Sequence, residues 1–170
     1  MKYWKALIIH EGKICSNYDK SPWIIGEWRE EKEPAELCKG LNCSPRIYDA
    51  MQYVNMEVIA QVEIKGKTIK SFNKFTCQSM MIKKAWKWEK KDSVALSIFA
   101  AELCIKNFEK IYPNDKRPRQ AIEAAKAWLE NPTEENKNAA WSAKSATRSA
   151  VEDKIEKWLQ NRVKHLEEIT

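Results

Sequence analysis

The residues best suited to metal binding or nucleophilic chemistry are the cysteines and histidines, and they are few. Cys38 and Cys43 lie near one another in the chain, and the two histidines are His10 and His165. A structural zinc site needs a second pair of ligands at a characteristic spacing, which neither histidine supplies. The sequence therefore predicts no metal site, and the alternative is that both thiols pack beneath the helix that follows them.

Catalytic arrangements are equally hard to build from this sequence. A Ser or Cys nucleophile needs a base beside it, and His10 ends a predicted strand while His165 lies close to the C-terminus. Gly26, Gly40 and Gly66 are isolated, and no G-x-x-x-x-G-K phosphate loop occurs. We assign no catalytic residue and no cofactor, and the sequence gives no positive evidence of an enzyme.

Eight tryptophans are the most unusual compositional feature. Trp86 and Trp88 flank Lys87, so on a strand the two indoles project from the same side. Such alternating aromatics can stack on a base or a nucleotide ring, and we name both as candidate ligand-binding residues. The alternative, which is the more common use of such residues, is that they fix the sheet to the next helix.

A second candidate site is the basic loop between two predicted helices. Its candidate ligand-binding residues, together with two from the last helix, are Asp115, Arg117, Arg119, Lys144 and Arg148. Guanidinium groups suit phosphate or carboxylate, and the helix that begins at Pro118 adds favourable backbone dipoles. The alternative is an internal brace, in which Asp115 and Glu123 pair with Arg117 and Arg119.

The overall charge favours anionic partners. The formal net charge is +6 and the isoelectric point is about 9.0, which attracts polyanions at long range. Acidic residues such as Glu152, Asp153 and Glu156 interrupt the last helix, so no continuous stripe for duplex DNA is evident. No apolar run approaches the length that spans a bilayer, and the odd number of cysteines is typical of reduced thiols in a cytosol.

Periodicity divides the chain near Asp92. All four glycines lie in the first 66 residues, where we predict strands over 3–10, 13–16, 23–30, 57–64, 68–72 and 80–88. The loop Lys65–Lys67 is predicted to connect a β-hairpin. A short helix is expected from Ser44, with Ser44 as its N-cap and Pro45 at the first helical position.

After Trp88 the apolar period becomes about 3.6. The pattern predicts a helix capped by Asp92 or Ser93, a second from Pro118 to Asn131, and one long helix from 134 to 169. The predicted fold is therefore α+β: residues 1–91 form a mostly antiparallel sheet with one short helix, and residues 92–170 form an antiparallel bundle of three helices, the last long.

Two segments resemble known families. Leu37–Ser44, with the stretches Asp49–Tyr53 and Val58–Gly66, is similar to an N-terminal module of uncharacterised phage and mobile-element proteins, which carries C-x-x-G-x-H-x-C/S, D-A-x-x-Y and V-E-x-x-G. Asn42 replaces the His of that pattern, so a role that depends on the imidazole does not carry over. Arg117–Leu129, with the Ala-rich stretch 139–150, resembles the helical family labelled putative immunity proteins.

These resemblances imply a phage or mobile-element accessory protein that binds and inhibits rather than catalyses. We expect a cytoplasmic counter-defence factor that captures a nucleotide-like anion or a host defence protein, and no membrane partner. The alternatives are a nucleic-acid-binding protein and an enzyme acting on a nucleotide or ADP-ribose substrate. The last helix either completes the intramolecular bundle or pairs with a second copy of the chain.

Overall fold

The protein has an α+β fold, as the sequence predicts. The computed structural model describes residues 2–31, 36–52, 54–131 and 152–170. They contain an antiparallel sheet of seven strands and four helices. The chain divides into two compact units: Met1–Trp88 with Leu159–Thr170, here called the strand unit, and Glu89–Trp158, the helical unit.

The elements follow one another in two runs, with strands first and helices second. The strands are β1 (Tyr3–His10), β2 (Lys13–Cys15), β3 (Trp28–Glu30), β4 (Leu41–Cys43), β5 (Val58–Lys70), β6 (Phe75–Lys87) and β7 (Glu168–Ile169). The helices are α1 (Ile47–Met51), α2 (Lys90–Ile111), α3 (Arg117–Glu130) and α4 (Glu152–Val163).

The centre of the sheet is a long hairpin of β5 and β6, and here one prediction is wrong. Lys65–Lys67 is not a turn, because β5 runs through it with a shift in register. Gly66 sits at φ +78°, and a Cβ at this position would lie 2.5 Å from Oε1 of Gln78. The glycine therefore accommodates a bulge inside the strand, and the turn comes later, where Ser71 N–H donates to the Lys74 carbonyl.

Strand β4, which the sequence pattern did not reveal, curls the sheet into a nearly closed ring. On one side it pairs with β6, with Leu41 opposite Cys77. On the other side, Trp4 and Ser44 exchange both backbone hydrogen bonds at 2.8 Å, which links the end of β4 to β1. The order β1–β5–β6–β4 thus returns to β1 and encloses an apolar core.

That core is built from alternate residues of the strands. Its buried members are Leu7, Trp23, Leu41, Cys43, Val58, Ala60, Val62, Phe75, Cys77, Met80, Ile82 and Ala85. Within the predicted strand 23–30 only Trp28–Glu30 is regular strand, because Gly26 adopts φ +84° and interrupts it. Trp23 instead packs into the core from an irregular segment.

The predicted cap of the first helix is also wrong. The helix begins at Ile47 with Arg46 in the N-cap position, because the backbone of Ser44 is already engaged with Trp4 across the ring. The two nearby thiols separate as well. Cys43 is buried in the core of the sheet, whereas Cys38 is exposed, so the expectation that both thiols are buried is wrong for Cys38.

The helical unit is organised around α2 and α3. Val94, Ile98 and Ile105 of α2 pack against residues of α3 that include Ile122 and Trp128, as the 3.6-residue period indicates. Helix α2 begins one turn earlier than predicted, since Glu89 is its N-cap. Asp92 accepts a hydrogen bond from Glu89 N–H at 2.8 Å and completes a capping box.

The last predicted helix differs at its end. Residues 132–151 lie outside the part of the chain that the structure describes, and α4 ends at Val163 instead of continuing to 169. Backbone bonds from Lys164 to Asn161 and from His165 to Arg162 tighten the chain into turns. Residues Glu168–Ile169 then pair with β6 as β7, because that edge of β6 offers free backbone groups and Ile169 packs on the core.

Among the described residues no helix is long and apolar enough to cross a membrane.

Candidate functional site

A cavity of about 440 Å³ lies within the strand unit. Its wall combines the start of β1, the loop after β2, β4 and the segment before β6. The residues that give it chemical character are Lys5, Asn17, Tyr18, Asp19, Trp23, Arg29, Glu31, Cys38, Asn42, Cys43 and Lys74. Three of these are cationic and two are acidic, so the cavity carries a surplus of positive charge.

Lys5 is the most unusual member of this wall. It lies on β1 with its ammonium on the side of the apolar core, and Nζ donates to the Asn42 carbonyl at 2.8 Å. The same nitrogen is 5.3 Å from the centre of the Trp23 ring. Among the described residues no carboxylate lies within ion-pair distance of it. Burial consequently lowers the pKa of Lys5 from 10.5 to about 8.

Arg29 lies over the same indole, with its guanidinium carbon 5.1 Å from the Trp23 ring centre. Unlike Lys5, it is held by acids: Asp19 lies 3.7 Å and Glu31 3.3 Å from its Nη2. Its Nη1 also donates to Ser21 at 2.6 Å. The hydrogen bond from Ser21 keeps the pKa of Asp19 below its usual value. Arg29 is therefore a fixed and largely neutralised cation, and the unneutralised charge is that of Lys5.

Two thiols lie behind Lys5 on neighbouring strands. Cys77 donates from Sγ to the Leu41 carbonyl at 3.4 Å, and Cys43 lines the cavity. The hydrogen bond with Cys77, followed by burial, raises the pKa of Cys43. Cys43 therefore stays protonated, whereas the same hydrogen bond lowers the pKa of its partner Cys77. No group of three or more metal-ligating side chains occurs within the described ranges.

The mouth of the cavity is formed by a tight loop before β4. Cys38 adopts φ +70°, and its backbone N–H donates to Oγ1 of Thr76 at 2.8 Å. Thr76 in turn donates to Oδ1 of Asn42 at 2.7 Å. Nζ of Lys74 lies 3.5 Å from Sγ of Cys38, which places a second cation at the opening. Tyr18, which is 98% exposed, stands at the rim.

The tryptophans named from the sequence take packing positions. Trp88 follows the last residue of β6 and is only 3% exposed. Trp86 is partly exposed and lies against Trp4, with ring centres 6.0 Å apart. Neither lines the cavity described above. Their role in ligand binding and the alternative, that they fix the sheet to the next helix, both stay predictions.

The basic loop lies in the other unit. Arg117 pairs with Asp115 at 2.6 Å, and this hydrogen bond lowers the pKa of Asp115 to about 2. Arg119 pairs with Glu109 at 2.5 Å rather than with Glu123 as the brace interpretation expected. The predicted pairing of Arg117 with Asp115 is therefore confirmed, whereas the predicted pairing of Arg119 with Glu123 is wrong.

The remaining two candidates of that site, Lys144 and Arg148, fall outside the described residues. The ligand-binding role of the loop therefore stays a prediction. Arg117 remains accessible despite its ion pair, because its side chain is 86% exposed. An incoming anion would have to compete with the carboxylate of Asp115 for the guanidinium.

Sequence reasoning missed the cavity because its residues come from distant parts of the chain. One signal was present: Lys5 interrupts an otherwise apolar strand between Trp4 and Ala6. In a regular strand such a lysine is read as facing solvent. Only the closure of the sheet by β4 places its ammonium next to a core indole.

The strand unit thus defines an α+β protein whose curled sheet encloses a cationic cavity. Residues 87–166, just under half of the chain, match the family described as Imm-5 like putative immunity protein. This match confirms the resemblance of the C-terminal part to that family, while the resemblance of the N-terminal part to a phage module stays a prediction. No curated protein and no solved structure matches the chain.

Proposed function

We propose that this chain is a non-catalytic binding protein that captures a small nucleotide-like anion in the cavity of the strand unit. The observation that carries this proposal is the Lys5 ammonium, which faces the cavity without a carboxylate partner among the described residues. A charge held in this way costs free energy, because burial removes its hydration. A bound phosphate or carboxylate would restore the missing counter-charge, and this is a reason for the lysine to lie there.

The surroundings of Lys5 fit an anion attached to a planar ring. Trp23 forms the floor and holds both cations against its face, so their positions are set before a ligand arrives. Tyr18 at the rim is fully accessible and can cover a base. A ligand with a charged end and a flat end would thus use the two ends of the cavity.

Capture of such a ligand would remove it from solution without any chemical step. A phage or mobile-element accessory protein that withdraws a signalling nucleotide would counter the defence that depends on the signal. The match of residues 87–166 to an immunity family supports a role in neutralisation. The size of the cavity supports a small molecule as the ligand that the protein neutralises.

Isothermal titration calorimetry with nucleoside monophosphates, diphosphates and cyclic dinucleotides tests the proposal. The wild-type chain should bind at least one of them, and Lys5→Met should weaken binding about 10- to 100-fold, as expected for a lost hydrogen bond to a charged group. Lys13→Met is the matched control, since Lys13 is exposed on β2 and does not line the cavity.

Circular dichroism of each variant would establish that it is folded before the titration. If the folded wild-type chain gives no binding heat with any of these nucleotides, the proposal is contradicted. Equal affinities of the wild type and Lys5→Met would do the same, because they would place the ligand elsewhere.

A second candidate function is neutralisation of a partner protein by the helical unit, and the family match is the observation that favours it. The charged loop offers a specific surface, since Arg117 is largely exposed. A tagged chain should then retain a defined protein from host lysate, and Arg117→Glu with Arg119→Glu should abolish retention. Lys106→Glu with Lys110→Glu, the same change of charge on the exposed face of α2, should not. Equal retention by both double variants would contradict this candidate.

A further inference from the structure

The hairpin of β5 and β6 carries an unusual run of charge. Between Glu63 and Glu89 the sequence contains no acidic residue. It contains seven lysines in the same interval: Lys65, Lys67, Lys70, Lys74, Lys83, Lys84 and Lys87. Such a run on two paired strands produces a field that attracts polyanions.

Acidic side chains neutralise three of these lysines. Lys65 pairs with Glu30 at 3.5 Å, Lys83 with Glu63 at 3.4 Å, and Lys84 with Glu168 at 3.0 Å. Lys70, which lies nearer the turn, is not one of the three. Nζ of Lys70 lies 5.7 Å from the ring centre of Phe75, and no described carboxylate is within ion-pair distance of it.

Phe72 projects from this end of the hairpin. It belongs to the turn that Ser71 N–H closes by donating to the Lys74 carbonyl at 2.8 Å. Its side chain is 93% exposed, so the phenyl ring is not buried in the protein interior. The turn places Phe72 between Lys70 and Lys74 in the sequence, and an exposed aromatic ring near basic side chains is the combination that binds single strands.

We propose that the hairpin tip, defined as Lys67, Lys70, Phe72 and Lys74, binds single-stranded nucleic acid. The lysines contact phosphates and Phe72 stacks on one base. A single strand fits better than a duplex, because the bases of a duplex are already stacked and leave no face for the phenyl ring. An anionic membrane fits less well, since one phenyl ring on a narrow ribbon provides no broad apolar face.

Fluorescence anisotropy with a labelled single-stranded RNA or DNA of about 16 nucleotides tests this surface. Three lysine contacts predict that log K falls with log salt with a slope of about −2. Lys67→Glu with Lys70→Glu should weaken binding more than about 10-fold at low salt and reduce the slope by more than about one. Comparing RNA with DNA of the same sequence shows whether the 2′-hydroxyl contributes.

The stacking contact has its own test. Phe72→Ala should weaken binding about 5- to 100-fold, the range for loss of one stacked base, with the salt slope unchanged. Phe72→Trp should restore it. The matched control is Lys106→Glu with Lys110→Glu in the helical unit, which alters the net charge equally and should change affinity less than about threefold.

Several results would overturn the proposal. These are the absence of binding at about 50 mM salt, equal losses in the hairpin and control variants, or binding to phosphatidylserine vesicles without binding to oligonucleotides. Lys5→Met should leave oligonucleotide binding intact, and the hairpin variants at Lys67 and Lys70 should leave nucleotide calorimetry intact. Failure of this surface is therefore distinguishable from failure of the cavity.

Discussion

Replacing Lys5 by methionine should stabilise the protein at neutral pH. In the folded chain the pKa of Lys5 is about 8, whereas the unperturbed value is 10.5. Because a tenfold change in acidity corresponds to about 1.4 kcal/mol, this difference sets an upper limit of about 3 kcal/mol on the cost of keeping the ammonium charged in the fold.

Two effects reduce the expected gain. Part of the Lys5 side chain still meets solvent, which screens the charge. Methionine also loses the hydrogen bond to the Asn42 carbonyl, worth about 1.5 kcal/mol for a charged donor. We therefore expect Lys5→Met to raise the free energy of unfolding by about 1 kcal/mol at pH 7.

The gain should depend on pH in a definite direction. Between pH 8 and 10.5 the unfolded wild-type chain retains a proton that the folded chain has released, so wild-type stability rises with pH across this window through this group. The advantage of Lys5→Met should therefore shrink above pH 8 and disappear near pH 10.5.

Urea denaturation at a series of pH values, followed by circular dichroism, measures this difference. Lys13→Met serves as the control, because an exposed lysine should change the free energy of unfolding by less than about 0.5 kcal/mol at every pH. The reasoning is refuted if the Lys5→Met difference stays constant from pH 7 to 10.5, or if this variant is the less stable protein at pH 7.

Three other outcomes follow from single contacts. If the ammonium of Lys5 binds the ligand, affinity measured by calorimetry should fall about tenfold per pH unit above pH 8, because only the protonated form offers the charge; a flat profile would argue against an ammonium contact. Asp92→Ala removes a buried capping carboxylate and should cost about 1–2 kcal/mol in urea denaturation. Glu123→Ala, on the exposed face of α3, should cost under about 0.5 kcal/mol, and equal costs would contradict the capping role. Gly66→Ala should lower stability by at least about 1 kcal/mol because of its φ of +78° and its contact with Gln78; adding Gln78→Ala should recover only the steric part, and full recovery would show that the backbone is unstrained.

The two proposed surfaces have different physical origins. The cavity depends on a charge that the fold holds without a counter-charge, so its ligand must be small enough to reach Lys5. The hairpin tip depends on three lysines at the surface and one exposed ring. Lys74 is common to both, since it lines the cavity mouth and follows the hairpin turn. The proposed variants at Lys5, Lys67 and Lys70 leave this shared residue unchanged.

Patterns that extend along one element were readable from the sequence. Strand β1 has the predicted bounds Tyr3–His10, and the apolar period of α2 and α3 placed Val94, Ile98 and Trp128 in the core of the helical unit. Periodicity succeeds here because neighbouring residues on one element share the same face. The α+β class follows from the order of such elements.

Turns and caps were less predictable, because each depends on what else a residue contacts. Ser44 has the side chain of a helix cap, yet its backbone pairs with Trp4. Gly66 has the character of a turn residue, yet Gln78 lies beside it in a bulge. The bend of the chain after α4 and the pairing of Ile169 with Ala85 depend on an edge that exists only in the assembled sheet.

By itself, then, the sequence determined the fold class, most of the elements, the basic character and the relation of residues 87–166 to an immunity family. Tertiary structure alone decided where Lys5 lies. A strand pattern cannot show that β4 will return to β1 and enclose a lysine with Trp23. The position of Lys5 depends on hydrogen bonds between strands that are distant in the sequence, and no local spacing of residues predicts those bonds.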